Sequence, residues 1–134
     1  MNDSRLSVRK LAISDVEVWS QVSARQVFVS DIIDQGSEPD AKMTVGFARV
    51  GRGESMAISF PYDEVLVVTK GAYTVVPEHG NALTARAGEV IYLPGGSTNT
   101  AHADEDTEMV YVASPPPIYA DHVTATAGDV EVAE

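Results

Sequence analysis

The sequence predicts an all-β fold that forms one small barrel. From Met43 onward, short runs rich in β-branched and aromatic residues recur along the chain. Turns containing Gly, Pro or Asn separate these runs about every eight to twelve residues, a spacing typical of sandwiches and barrels. No long stretch has the 3.6-residue periodicity of an amphipathic helix, so we expect little helix. A chain of 134 residues suits a single domain with one core.

The predicted strands follow one another in chain order. Upstream of Met43, the sequence VEVWSQV alternates weakly, and a β-branched run extends from Val27 to Ile33. The acidic and turn-forming stretch GGSTNTAHADED is predicted to be a loop. The remaining strands are MTVGFARV, MAISF, EVLVVTKG and VIYLP, the hairpin AYTVVPEHGNALTARAGE with EHGN at its tip, and TEMVYVASPPP.

This pattern of predicted strands and turns divides the chain into three parts. Residues 41–118 are predicted to form the barrel core, and residues 1–40 an arm whose strands pack on the barrel or swap between barrels. Residues 119–134 are small, acidic and poorly patterned, which is typical of an edge strand or a flexible tail. Exposed strand edges need covering, so we expect a homodimer in which the strand around 27–33 takes part.

Composition excludes several classes of protein. The formal net charge is -11, with 20 acidic and 9 basic residues, which argues against nucleic acid or an anionic membrane as the main partner. The absence of cysteine excludes disulfides, thiolate metal sites and thiol nucleophiles. The N-terminal residues contain no apolar signal-peptide region, and no membrane-length apolar stretch follows. We therefore expect a cytoplasmic protein with a small-molecule partner.

Two spaced motifs carry a family resemblance. In PYDEVLVVTKG, Glu64 is followed by six residues and Gly71. In AGEVIYLPGGSTN, Gly88 is followed by five residues, Pro94, one residue and Gly96. Both spacings resemble the conserved motifs of the cupin superfamily, which implies a single small jelly-roll barrel.

Further short motifs resemble the ethanolamine-utilisation protein Q group of cupins. These are MTVGF, YDEV, LPGGS and VYVASP, within about 43–117. The resemblance implies a role in ethanolamine breakdown with an acetate-kinase-like activity. The chain contains no phosphate-binding loop that would support phosphoryl transfer.

The resemblance also implies where a cupin metal would bind. Cupins that hold a metal use two histidines and the glutamate of the first motif, with one histidine of the second. The histidine positions here fall on Ile58, Phe60 and Asn99, and only Glu64 keeps a ligand-type side chain. We therefore expect no metal and no other cofactor. A remodelled transition-metal site using His102 beside the carboxylates is disfavoured, because one imidazole with carboxylates binds such metals weakly.

Glu64 is the principal candidate for a functional residue. A carboxyl group that points into an apolar barrel should have a raised pKa, which suits a general acid or base. Its alternative role is a hydrogen bond to a neighbouring strand. Asp63, the next residue, should face solvent because side chains alternate along a strand. Tyr62 and His102 could assist catalysis, although Tyr62 could equally close the barrel end and His102 could be an exposed loop residue.

Three further residues are predicted to contact a ligand. Phe60 would line the apolar pocket, and Asn99 could hydrogen-bond a substrate or simply form a turn. Tyr111 could line the cavity or belong to the core. Two classes of function stay open: a metal-free cupin that binds a small molecule, and an isomerase, lyase or cyclase that uses Glu64 as its general acid or base.

Overall fold

Residues 8–115 are described by the computed structural model, and they form ten β-strands with one short 3-10 turn at Ile13–Asp15. The predicted scarcity of helix is therefore confirmed for this part of the chain. In chain order the strands are β1 (Ser20–Gln21), β2 (Val27–Ile33), β3 (Thr44–Val50), β4 (Ser55–Ala57), β5 (Asp63–Lys70), β6 (Ala72–Pro77), β7 (Leu83–Arg86), β8 (Val90–Leu93), β9 (Asn99–Ala103) and β10 (Thr107–Ser114).

The strands form two antiparallel sheets. One has six strands in the order β1-β2-β3-β10-β5-β8, and the other has four in the order β4-β9-β6-β7. The buried core contains Val68 and Met109 from the first sheet together with Val75 and Ala101 from the second. The inner faces of both sheets therefore share one core, and the predicted all-β jelly-roll barrel is confirmed.

Strand β5 shows how the sequence positions the site. Glu64, Leu66 and Val68 alternate on the buried face, whereas Asp63 is exposed, as predicted. The strand ends at Gly71, whose φ is +91°, and a Cβ atom there would lie 2.3 Å from the Asp106 carbonyl oxygen. Only glycine fits this position, because residues with a side chain disfavour positive φ and the Asp106 backbone leaves no room for a Cβ atom. The first cupin motif thus fixes the exit of β5.

Two predicted segments differ from the structure. The predicted loop GGSTNTAHADED contains β9, in which Asn99, Ala101 and Ala103 are buried and Thr100 is exposed. This strand escaped prediction because alanine and asparagine are poor strand formers and its inward residues are mostly small. Conversely, VEVWSQV yields only the two-residue β1.

The arm predicted for residues 1–40 contains β2, which pairs with β3 in the six-stranded sheet. The predicted boundaries of the three parts stay predictions, and 119–134 lies outside the described residues. Within residues 8–115, no helix is long and apolar enough to cross a membrane.

Candidate functional site

Glu64 is buried on the inner face of β5, with only 5% of its surface exposed. Burial, followed by the negative charge of Asp31, raises its pKa to about 8. No group within residues 8–115 donates a hydrogen bond to this carboxyl group that would lower its pKa again. The predicted inward orientation and raised pKa are confirmed. Near neutral pH this carboxyl group is therefore mostly protonated and able to donate or accept a proton.

Asp31 on β2 is a second acid on the same side of the sheet, but unlike Glu64 it is exposed, and the sequence pattern did not single it out. The hydroxyl of Tyr111 donates a hydrogen bond to its Oδ1 at 2.5 Å. Burial raises the pKa of Asp31, the Tyr111 hydrogen bond lowers it, and the charge of Asp34 raises it further. Tyr111 thus belongs to the core, one of its two predicted surroundings, and also contacts this acid; that it lines a ligand cavity stays a prediction.

The contact between Tyr111 and Asp31 depends on a glycine. Gly46 lies on β3 between them, paired with Asp31 on one side and with Tyr111 on the other. A Cβ atom at Gly46 would lie 2.2 Å from the Tyr111 hydroxyl and 2.6 Å from the Ser30 carbonyl oxygen. Glycine therefore makes room for the tyrosine ring to pass over β3 and reach the acid.

Tyr73 on β6 is a buried tyrosine of the other sheet whose pKa is affected by Glu64. It is 4% exposed, and burial followed by the charge of Glu64 raises its pKa above the usual value. Because the charge of Glu64 raises the pKa of Tyr73, the two side chains lie within electrostatic range of each other. Tyr73 consequently stays protonated at any physiological pH.

Strands β3 and β10 lie between β2, which carries Asp31, and β5, which carries Glu64, and their residues beside Glu64 are small. Directly paired residues of antiparallel strands project to the same face. Thr44 on β3 pairs with Ala113 on β10, and Ala113 pairs with Glu64 on β5. Thr44 is fully buried, and its hydroxyl has no hydrogen-bond partner among the described residues. An unsatisfied buried hydroxyl is uncommon in proteins and therefore requires an explanation.

Phe60, Tyr62 and Asn99 cluster where the connections before β5 and β9 meet. The rings of Phe60 and Tyr62 stack with centroids 5.0 Å apart, and Tyr62 is only 1% exposed. The Asn99 amide donates to the Ile58 carbonyl oxygen at 3.3 Å and to the Ser97 hydroxyl at 2.9 Å. Both hydrogens of the Asn99 side-chain amide therefore bond protein groups in these connections, and only the amide oxygen is left for a ligand.

His102 lies on the outer side of β9 rather than in a loop. Its side chain is 43% exposed, and its Nε2 lies 3.2 Å from Asp104 Oδ1. Its strand neighbours Ala101 and Ala103 are buried, so His102 projects away from the core. The structure does not bring it to Glu64.

The described residues do not fit a cupin-type metal. The side chains of Ile58 and Phe60 are hydrocarbon, and the amide of Asn99 binds protein groups. Across residues 8–115, no three His, Cys, Asp or Glu side chains lie close enough to share an ion.

Sequence signals for the residues that were missed are present but weak. Asp31 is in phase with Val27 and Val29, so an acid interrupts the inward side of an otherwise apolar strand. Tyr73 is likewise in phase with Val75 on β6. Period-two phasing alone could have identified both residues. It could not have shown that the charge of Asp31 acts on Glu64 from a strand distant in sequence.

A separate cavity of about 260 Å³ opens near the outer side of the six-stranded sheet. It contains both Arg49 and Lys70, together with the acids Asp106 and Glu108. Arg49 is bound by Glu108 at 3.2 Å and lies over the Trp19 ring at 4.6 Å. None of the predicted site residues lines this cavity.

Comparisons with known proteins agree with this architecture. A protein of Salmonella typhimurium LT2 described as ethanolamine utilization protein Q is 27% identical, with a TM-score of 0.61 over 67% of this chain and 70% of that one. The EutQ protein of Clostridium difficile is 21% identical, with a TM-score of 0.63 over 72% and 68%, which shows the fold alone. A Rhizobium leguminosarum bv. viciae 3841 protein of unknown function is 28% identical, with a TM-score of 0.67 over 82% and 99%.

Curated protein sequences give no significant match. The family model described as the EutQ-like cupin domain matches residues 37–111, more than half of the chain. The chain therefore belongs to the EutQ-like cupin family.

Proposed function

We propose that this protein is a small-molecule-binding cupin of the ethanolamine-utilisation protein Q type, which holds its ligand on the inner face around Glu64 without the usual cupin metal. The observation that supports this proposal most strongly is the Glu64 carboxyl group, which is 5% exposed and has a pKa raised to about 8. An uncompensated acid in a core costs free energy of folding, so its retention there is better explained by a ligand than by packing.

The surroundings of Glu64 support a ligand-binding role. Burial of the acid among apolar core residues, with a few polar groups nearby, is the usual composition of a small-molecule site. The groups available are the Asp31 carboxyl, the Tyr73 hydroxyl and the Thr44 hydroxyl. They come from β2, β6 and β3, so the fold holds them in place before any ligand arrives.

Thermal-shift screening with a library of small metabolites would test this function. Ligands that bind the folded protein raise the melting temperature, and Glu64→Gln should remove that increase while keeping the size and shape of the side chain. Glu17→Gln, which changes an exposed glutamate in the same way, should leave the increase unchanged. Ligands that stabilise the wild type and the Glu64→Gln variant equally would refute a site at Glu64.

Metal binding should be tested on the same samples. Protein purified without chelator is offered Fe, Mn, Ni, Cu and Zn in turn, and its metal content is then measured. We expect no stoichiometric metal, because Ile58 and Phe60 occupy two histidine positions of the family motif. Retained metal that is lost on Glu64→Gln would refute the metal-free proposal.

The raised pKa of Glu64 favours a second function, an isomerase, lyase or cyclase. A general acid or base works best when its pKa lies near the working pH, and about 8 meets that condition. The buried Tyr73 hydroxyl could polarise a substrate carbonyl beside it. In this case Glu64→Gln would abolish turnover but preserve binding, whereas a binding protein would lose binding. The homodimer and the cytoplasmic location stay predictions from the sequence.

A further inference from the structure

The outer face of the six-stranded sheet is apolar over four neighbouring strands. Two rows of directly paired residues cross it, and their side chains point away from the core because they alternate with the buried ones. One row contains Val45, Val112, Val65 and Tyr92, and the other contains Phe47, Val110, Val67 and Val90. No side chain in either row carries a charge. An antiparallel sheet usually has polar residues on a face that meets water, so this face is unlike a solvated one.

The exposed part of this face lies over β5 and β8. Val90 and Tyr92 are each 57% exposed, and Val65 and Val67 beside them are half-buried. Towards β3 the exposure falls, and Phe47 is only 8% exposed. Contiguous apolar residues at a surface mark an interaction site, whereas single ones do not. The contiguous residues, called the outer patch below, are Val65, Val67, Val90, Tyr92, Val110 and Val112.

Strand β5 carries opposite charges at the two ends of its outward side. Its outward residues in chain order are Asp63, Val65, Val67 and Lys70, because a bulge places Lys70 opposite Glu108. Seven steps of about 3.4 Å separate Asp63 from Lys70, too far for them to pair within one copy. Lys70 also forms no ion pair with another side chain of residues 8–115. The outward side of β5 is therefore complementary in charge to a reversed copy of itself.

We propose that the outer patch is the interface of a homodimer, in which two copies pack their six-stranded sheets face to face with their β5 strands antiparallel. The apolar side chains of the two outer patches interdigitate, as they do between the packed sheets of a β-sandwich. Each Lys70 then lies near the partner's Asp63 at the rim, where interfaces are usually polar. This contact uses a face of the sheet and not the edge strand around 27–33 that the sequence indicated.

The outer face is large enough for a specific contact. Four strands at about 4.8 Å and three outward rows at about 6.8 Å cover roughly 19 Å by 20 Å, or about 390 Å² in projection. Accessible area exceeds its projection, so two copies bury close to about 1,000 Å², the lower limit of a specific interface. An anionic membrane or a nucleic acid is a poor alternative partner, because the chain has a net charge of -11. We therefore expect a dimer of moderate affinity.

Analytical ultracentrifugation of the full chain, at concentrations from about 1 to about 200 μM, measures this association. We expect a dimer with a Kd on the order of 10 μM, as suits a small interface. Val90→Glu should weaken the dimer at least about tenfold, because it places a charge inside the outer patch at a position whose exposure lets the monomer fold. Leu83→Glu is the matched control: Leu83 is 55% exposed but lies on β7 of the other sheet, so the Kd should not change.

Lys70→Glu tests the antiparallel orientation and should also weaken the dimer about tenfold. Arg86→Glu on β7 changes the net charge equally and should leave the Kd unchanged, which separates the contact from general repulsion. A wild-type chain that stays monomeric at the highest concentration would overturn the proposal and leave the patch to residues 1–7 or 116–134, or to another protein. A dimer that Val90→Glu leaves intact would overturn it as well. If Val90→Glu weakens the dimer and Lys70→Glu does not, the antiparallel orientation is wrong.

Discussion

At the scale of single residues, Glu64 and Thr44 are buried polar groups whose surroundings within residues 8–115 do not satisfy them. Glu64 has the charge of Asp31 nearby and no compensating hydrogen bond within residues 8–115, and the hydroxyl of Thr44 has no partner there. Both are on the inner face, and they are aligned through Ala113. Unsatisfied groups lower stability when the site is empty, which makes each of them open to test by substitution.

Glu64 should make the protein less stable as the pH rises. Its pKa is 4.5 without the fold and about 8 within it, so the folded state holds the proton more tightly. The resulting stabilisation is complete below pH 4.5 and is lost as the pH rises towards 8, by at most about 1.4 kcal/mol per pH unit. Urea unfolding between pH 5 and 9 should show this decline in the wild type and a shallower one in Glu64→Gln. Parallel curves would contradict the assignment.

Thr44→Val should leave stability unchanged or raise it by up to about 1 kcal/mol, because a buried hydroxyl without a partner is replaced by a methyl group of similar shape. Thr107→Val is the matched control. Thr107 is also buried, but the single proton of its hydroxyl is donated to, or shared between, the carbonyl oxygens of Ala72 at 3.1 Å and Glu105 at 2.9 Å. That variant should lose roughly 1–3 kcal/mol in the same urea experiment. Equal losses would show that the Thr44 hydroxyl is satisfied in the ligand-free protein.

At the scale of secondary-structure elements, the central strands β3 and β10 shape the candidate site because the Tyr111 ring of β10 packs directly against Gly46 of β3. Tyr111 reaches Asp31 only because Gly46 has no side chain beneath its ring. The same pair of strands aligns Thr44 with Ala113 and so with Glu64. A change in this pair should therefore alter the fold and the site together.

Gly46→Ala should destabilise the protein by about 1–3 kcal/mol, the usual cost of overpacking. The new Cβ atom would meet the Tyr111 ring at 2.2 Å and the Ser30 carbonyl oxygen at 2.6 Å, and the backbone atom cannot move aside easily. The cost should be smaller when Tyr111→Leu is also present, since one of the two obstacles is then removed. A Gly46→Ala variant as stable as wild type would contradict the close approach.

At the scale of the whole molecule, the sequence predicted the barrel and one acid of the site. The motif glycines and the alternation of β5 were sufficient to place Glu64 inside and Asp63 outside. The sequence could not reveal β9, whose inward residues are mostly alanine, and so it placed His102 and Asn99 in a loop. Nor could it show that the charge of Asp31 acts on Glu64, because that effect depends on the order β2-β3-β10-β5 rather than on distance along the chain.

The two faces of the six-stranded sheet carry two different candidate places for a ligand. The inner face carries the acids, and the outer cavity carries Arg49 and Lys70. The most direct test of the central claim is an NMR map of where ligands from the thermal-shift screen bind. We predict shifts at Thr44, Glu64, Tyr111 and Ala113, with their loss in Glu64→Gln. Shifts confined to the outer cavity around Arg49 and Lys70 would contradict a binding site inside the barrel.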